Sequence, residues 1–405
     1  MDVAELDYLL TPSGGQLLGA VTAAYDGTNA LPVSAALRAR YEPSHVAAAL
    51  SQVALRRQAF TKFGTDAAAM FFTRDGLEQA THPVVARHRA ERAVACGLTS
   101  VLELACGIGA DLVAFGRAGI GLTAVDRDPL TAGIAAANLQ ALGIAGWVGV
   151  GTAETQDCGV ADLVYLDPAR RSARGRVFAV DAYSPPWTFV ESLFGRDSVV
   201  KTAPGIAHEM VPPGVEAEWV SLDGQLREAA LWSGRASSAR RRATLLRAGR
   251  PAHTVTDTDD PGPAEVRPPG RFVYEPDDAV TRAHLVTTAA AAVGGWLLDA
   301  HLAYVSSDEE RPGPLVRAYE VLEVLPFREK ALRAALRARH VGPLTIKKRG
   351  VSVTPEALRA RLRLTGSEPA TIIVTRTPSG AVALLVRPLP FDRTENAWAG
   401  APPRS

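Results

Sequence analysis

The stretch from Thr99 to Asp128 limits what this chain can fold into more than any other. Val101 to Leu104 is a short apolar run carrying one acid, Glu103. Gly107 and Gly109 follow, and glycine permits a tight turn that a side chain would block. A helical pattern resumes from Asp111 to Ala118, is broken by Gly119 and Gly121, and gives way to a second apolar strand, Leu122 to Val125. That strand ends in an acid, Asp126, 17 residues beyond Gly109. A β-turn-α-β unit of this kind suits a nucleotide. Bare backbone at the glycines admits a ligand closely, the amides at the helix start favour an anionic group, and a carboxylate at the second strand tip can accept ribose hydroxyls.

The pattern departs from a dinucleotide fingerprint. Leu112 stands where a third glycine would be, and Glu103 precedes Gly107 by four residues. Glu-x-x-x-Gly-x-Gly with an acid on the second strand resembles the class I S-adenosyl-L-methionine-dependent methyltransferases. The resemblance implies that the glycine loop wraps the methionine part of the cofactor and that Asp126 holds its ribose. It draws the cofactor site from Thr81, Glu103, Ala105, Gly107, Gly109, Asp126, Arg127 and Glu154. The family places an acid for the adenine amino group after the next strand. Here that strand is Trp147 to Gly151, with Thr152 at the nearest position and Glu154 two residues on.

Ala161 to Arg171 holds the second informative pattern: a buried strand, Leu163 to Leu166, with Asp167-Pro168 at its carboxyl end. Ligands of open parallel sheets lie at that edge. The resemblance makes Asp167 and Pro168 the catalytic pair facing the transferable methyl. Amino-group methyltransferases follow the acid with Pro-Pro-aromatic. This chain has Ala169-Arg170 instead, so a base-stacking ring would have to come from Tyr183 or Trp187. Uridine C5 methyltransferases carry a motif much like Asp-Pro-Ala-Arg but need a cysteine thiolate after the next strand. That strand, Ser198 to Gly205, has none. Cys96, Cys106 and Cys158 read as small buried residues, which disfavours the C5 mechanism.

Upstream, residues 1–72 read as helical, with Leu17, Leu18, Val21 and Tyr25 at helical spacing. The segment Met70 to Thr81 is similar to the approach to the cofactor in trimethylguanosine-synthase-like methyltransferases. That likeness implies contacts from Phe72, Thr73 and Thr81, and Thr81 reads as the N-cap of a helix with Pro83 in its first turn. Glu216 to Leu222 and Leu226 to Trp232 read as a hairpin through Asp223-Gly224. A basic cluster follows at residues 240–250. Then come a Pro-, Asp- and Thr-rich linker from Pro251 to Pro269 and an additional module that begins with Phe272 to Pro276 and a helix from Ala279 to Leu298.

From Val316 onward, strand and helix patterns alternate as βαβαββ. The order resembles the THUMP-like RNA-binding modules of RNA-modifying enzymes. Between Arg328 and Arg363 stand eleven Lys or Arg and two Asp or Glu, a net charge of +9. So few acids leave most of those cations to an external partner or solvent. Arg170 and Arg171, with Arg174 and Arg176, form a second basic run beside the catalytic motif, and Lys347-Lys348-Arg349 ends a strand. Both are expected to meet an RNA backbone.

The whole architecture resembles bacterial class I methyltransferases with a THUMP-like domain, from about Phe71 to Pro388. The implied fold is a Rossmann-like α/β methyltransferase sheet with an N-terminal helical domain and a C-terminal α+β THUMP-like domain. The expected divisions are 1–72, 73–235, 236–314 and 315–390. A length of 405 residues fits several domains, and 47% hydrophobic residues suffice for cores. No apolar run approaches 18 residues, no secretory signal is visible, and three spaced cysteines form neither a disulfide framework nor a zinc pattern. A cytoplasmic enzyme without membrane or metal partners is expected. It would use S-adenosyl-L-methionine to methylate structured RNA, tRNA or rRNA, at a base nitrogen. Methylation of a protein or small molecule, or an inactive RNA-binding protein of this fold, are the alternatives.

Overall fold

The structure, a computed structural model, describes residues 1–170 and 183–390. Backbone contacts divide the chain into two compact units. The first is Met1–Ala217 with Glu228–Ser238; the second is Glu218–Arg227 with the chain from Ala239 on.

The first unit opens with helices α1 (Val3–Leu10), α2 (Pro12–Ala24), α3 (Ala30–Leu37) and α4 (Pro43–Phe63), then α5 (Arg74–Gln79) and α6 (Pro83–Ala95). The alternating region follows as β1 (Ser100–Leu104), α7 (Ala110–Arg117), β2 (Gly121–Asp126), α8 (Pro129–Ala141), β3 (Trp147–Val150) and β4 (Leu163–Leu166). After it come a short ribbon of β5 (Ala169–Arg170) and β6 (Tyr183–Ser184), α9 (Trp187–Leu193), β7 (Ser198–Thr202), and the hairpin β8 (Glu216–Leu222) and β9 (Gln225–Ser233), of which Glu218–Arg227 belongs to the second unit. Strand β1 lies parallel between β2 and β4, with Val101 opposite both Leu122 and Leu163. Strand β3 pairs outside β2 and β7 outside β4, and β9 adds antiparallel to β7. Every residue of β4 is fully buried, as expected of a parallel strand covered on both faces, which therefore shows no alternation. The hairpin turn has positive φ at both Asp223 and Gly224, the backbone that matches strand twist in a two-residue turn.

The N-terminal helices share a core with the nucleotide-binding half: Leu6, Leu17, Val21, Val46 and Val53 cluster with Ile108, Ile134 and Ala137. Two buried amides then fix the segment that leads to the site. Gln52 on α4 donates to the Phe72 carbonyl at 2.7 Å and accepts its N–H at 2.9 Å. Asn138 on α8 accepts the Phe71 N–H at 2.6 Å and donates to the carbonyls of Phe71 at 3.1 Å and Ile108 at 2.8 Å. The chain before α5 is thereby tied to the glycine loop.

The second unit contains β10 (Arg241–Leu246), β11 (His253–Thr256), β12 (Phe272–Pro276), α10 (Asp278–Arg282), α11 (Val286–Ala292), β13 (Trp296–Asp299) and β14 (Leu302–Ser307). It ends with β15 (Val316–Pro326), α12 (Glu329–Ala338), β16 (Val341–Lys348), α13 (Pro355–Leu362), β17 (Glu368–Thr377) and β18 (Gly380–Pro388). Seven strands form one sheet in the order β13-β14-β12-β15-β18-β17-β16. The βαβαββ order from Val316 is present, and Leu332, Leu336, Leu358 and Leu362 of its helices bury against Ile346, Ile372, Val374 and Leu385.

Two sequence expectations fail in this unit. No single helix spans Ala279 to Leu298: His284 adopts φ 55 and Gly294 φ 60, and Trp296–Asp299 pairs with β14 as a strand. The stretch 251–269 is not a bare linker, because His253–Thr256 pairs with β10. Among the described residues no helix is long and apolar enough to cross a membrane.

Candidate active site

The glycine loop carries three positive φ values in five residues: Ala105 at 59, Gly107 at 56 and Gly109 at 80. The two glycines serve different ends. A Cβ on Gly107 would meet open space, whereas one on Gly109 would press Ala135 of α8 at 3.3 Å. Gly109 is therefore needed for packing, and Gly107 for the turn and an open cradle beside it. Asp126, nearly buried at the tip of β2, accepts the Gly107 N–H and the Asp128 N–H, each at 3.0 Å. Two backbone donors thus lock the carboxylate to the glycine loop.

Beneath the loop lies a buried charge network that the sequence did not announce. Arg89 of α6, 2% exposed, bridges Asp111 of α7 and Glu228 of β9 and covers the Tyr165 ring at 4.7 Å. Glu103 is also buried, and its Oε2 takes no hydrogen bond. Burial, then Asp111, with Asp167 adding, pushes its carboxyl well above the usual range, and Arg89 and Lys201 only partly oppose this. A buried carboxyl oxygen left without a donor suits a ligand that brings one.

Lys201 on β7 is the functional side chain that the sequence reading missed. Its Nζ donates to Asp167 Oδ2 at 2.6 Å and to Thr81 Oγ1 at 3.1 Å. Burial pulls the ammonium down, but Asp167 and then Glu228 more than offset that, and its pKa lies above the ordinary lysine value. Asp167 Oδ1 takes no hydrogen bond from the described residues. Pro168 is buried. The chain leaves Asp167 through the ribbon, Ala169 opposite Ser184. Arg127 reaches the same ribbon, donating to Ser184 Oγ at 3.3 Å.

Several expected residues have other surroundings than the sequence suggests. Thr81 is not the helix cap: His82 caps α6, accepting the Val84 N–H, while Thr81 is buried against Lys201. Phe72 is fully buried beside Phe63, and Thr73 caps α5 by accepting the Gly76 N–H. Trp187 is a buried side chain at the start of α9, not a ring presented for stacking. Glu154 is exposed on a short turn, Ala153–Thr155. Cys106 is buried, and its thiol is pushed well up by burial and then by Glu103, so it offers no thiolate. Of Arg170 only the backbone is described; Arg171, Arg174 and Arg176 lie outside the described residues.

The carboxyl-terminal cations find partners within their own unit. Lys347 pairs with Glu275 at 2.6 Å, Arg349 with Asp278 at 3.4 Å, Arg339 with Glu323 at 2.6 Å and Arg361 with Glu329 at 2.7 Å. Arg333 and Arg337 donate to the carbonyls of Arg361 and Arg363 at the end of α13, Arg359 to Leu344, and Lys348 to Val351. Four of the eleven cations counted in the sequence thus pair with acids and four more donate to backbone carbonyls, so the surface is less bare than the sequence suggests. Three of the four partner acids, Glu275, Asp278 and Glu323, come from outside the window.

The residues fit S-adenosylmethionine: a bare glycine cradle, a fixed carboxylate at the next strand tip, and a buried acid with an oxygen to spare. Among the described residues no group of three or more His, Cys, Asp or Glu is arranged to hold a metal ion.

This fold and site define a class I methyltransferase. Two uncharacterized S-adenosylmethionine-dependent methyltransferases of Mycobacterium tuberculosis, from strains CDC 1551 / Oshkosh and H37Rv, are each 39% identical over 343 residues, 81% of this chain and 92% of theirs. The chain belongs to that S-adenosylmethionine-dependent methyltransferase family. Residues 316–388 match the THUMP domain-like family, and residues 2–59 match a domain of unknown function, DUF8688. A crystal structure from Porphyromonas gingivalis W83, assigned as a methyltransferase, is similar with a TM-score of 0.75 over 92% of this chain and 98% of that one. At 20% identity that likeness concerns the fold.

Proposed function

We propose that this enzyme methylates structured RNA, tRNA or rRNA, at a base nitrogen in the cytoplasm. The observation that carries the substrate class is the THUMP domain-like module at residues 316–388, joined in one chain to a methyltransferase site. The choice of nitrogen rests on Asp167. Lys201 occupies one of its oxygens, and the other is left to accept an N–H from the base. Glu103, Ala105, Gly107, Gly109, Asp126 and Arg127 line the cofactor side. Bound there, S-adenosylmethionine supplies an electrophilic methyl. The protein's share is alignment: Asp167 orients the acceptor N–H, and Pro168 stiffens the backbone behind it. A C5 mechanism is disfavoured by the state of Cys106 and by the lack of a cysteine on β7. The divisions 1–72, 73–235, 236–314 and 315–390 are proposed as domains from the sequence pattern.

One observation favours the other reading, a protein or small-molecule acceptor. Lys347 and Arg349, expected to meet RNA, are paired with Glu275 and Asp278. The test is mass spectrometry of nucleosides in tRNA and rRNA from a strain lacking the gene, restored with the wild type or with Asp167→Ala. A methylated base that returns only with the wild type supports the RNA reading. Identical nucleosides in all three strains refute it.

A further inference from the structure

The second unit contains a cavity of about 740 Å³, the size of a nucleotide-scale ligand site. Its walls come from the turn Asp223-Gly224, the loop after β10, the junction of β12 with α10, and β15. Four cations line it, Arg247, Arg250, Arg317 and Lys347, against four acids, Asp223, Glu275, Asp277 and Asp278.

The acids are mostly engaged within the protein. Glu275 accepts from Lys347 Nζ at 2.6 Å and from the Tyr319 hydroxyl at 3.3 Å. Asp278 pairs with Arg349 at 3.4 Å. Asp277 caps α10 by accepting the Ala279 N–H at 2.9 Å, and burial raises its pKa. With Lys347 neutralised by Glu275, the remaining balance is positive: three guanidiniums stand against exposed Asp223 and the capping Asp277. Arg247 is half-buried and donates to the Pro314 carbonyl at 3.2 Å; Arg250 and Arg317 are exposed. The guanidiniums oppose one another: Arg247 is held below its usual pKa first by burial and next by Arg250, with Arg317 acting in the same direction and Asp277 and Asp223 only partly offsetting them. Converging forks of this kind are relieved by a phosphate, whose oxygens match their geometry.

We infer that this cavity is an anion site that takes a phosphate of the RNA, with Arg247, Arg250 and Arg317 around it. The inference rests on the RNA reading above and adds a place for the strand to dock apart from the methyl-transfer residues. Free nucleotide would offer the same group, so the test separates the two sources.

The full chain and its Arg250→Gln/Arg317→Gln variant, both positions exposed, are titrated into fluorescein-labelled tRNA across a salt series. Adenosine 5′-monophosphate is titrated in parallel by calorimetry. The expected result is roughly tenfold weaker RNA binding by the variant, with the slope of log affinity against log salt shallower by about 1.4 for two lost phosphate contacts. S-adenosylmethionine affinity, measured on both, reports that the variant is folded. RNA binding equal in affinity and slope, with nucleotide binding unchanged as well, overturns the cavity while leaving the RNA reading standing. Failure of the wild type to bind RNA overturns both. Nucleotide binding that the variant loses, with RNA binding unchanged, overturns RNA as the source and assigns the cavity to free nucleotide.

Discussion

Lys201 and Asp167 form an ion pair at 2.6 Å between the ends of β7 and β4, neighbours whose register sets Val200 opposite Leu166. The lysine also donates to Thr81, so one ammonium joins Asp167 to the segment that leads into the site. Lys201→Met is expected to lower methyl transfer by about 100-fold, the scale of a small misplacement of a reacting group, with cofactor affinity within a few-fold of wild type. Lys201→Arg should restore part of the rate. Initial rates with labelled S-adenosylmethionine and calorimetry on each variant check this, and undiminished turnover in Lys201→Met contradicts it.

Asp126 should matter to binding. Removing charge-assisted hydrogen bonds to a ribose costs roughly 1.5–3 kcal/mol, so Asp126→Ala should weaken S-adenosylmethionine by about 10- to 100-fold. Equal affinities by calorimetry would remove this residue from the cofactor site.

Asn138→Ala tests the tie between the N-terminal helices and the glycine loop. It deprives one buried N–H and two buried carbonyls of their partner, an expected loss of about 2–4 kcal/mol of stability. A denaturant midpoint matching wild type would show that the tie contributes nothing.

Glu103 gives a pH signature. Facing Asp111 and Asp167 as well as Arg89 and Lys201, its carboxyl lies well above the usual 4.5, so the folded chain keeps a proton that the unfolded chain releases. Stability from this group therefore falls as pH rises from about 4.5 towards the folded pKa. Glu103→Gln removes that fall, and the variant's melting temperature should gain on wild type as pH rises above about 4.5. Parallel melting profiles would contradict the buried, protonated state.

The parts of this protein that were legible in its sequence are those fixed by neighbours. Gly107, Gly109 and Asp126 fall within 20 residues, and the strand–helix alternation from Val316 follows from turn residues and local periodicity. What was hidden depends on partners far away in the chain. Asp167 and Lys201 are 34 residues apart, and Arg89 and Glu228 are 139, distances at which no period links them. The Ala-rich run from Thr287 to Leu298 has helical composition, yet its end is a strand because pairing with β14 overrides propensity. The basic window misled for a related reason: a local count cannot see that Glu275 and Asp278 fold back to meet Lys347 and Arg349.

Asp167 is proposed to present an RNA base nitrogen to the methyl of S-adenosylmethionine. The most direct test of this incubates the purified enzyme with tritiated S-adenosylmethionine and RNA from a strain lacking the gene, then digests the RNA to nucleosides. Label is expected in a single N-methylated nucleoside, lost with Asp167→Ala while that variant still binds the cofactor. Label found only in protein or small molecules, or retained in full by Asp167→Ala, would contradict it.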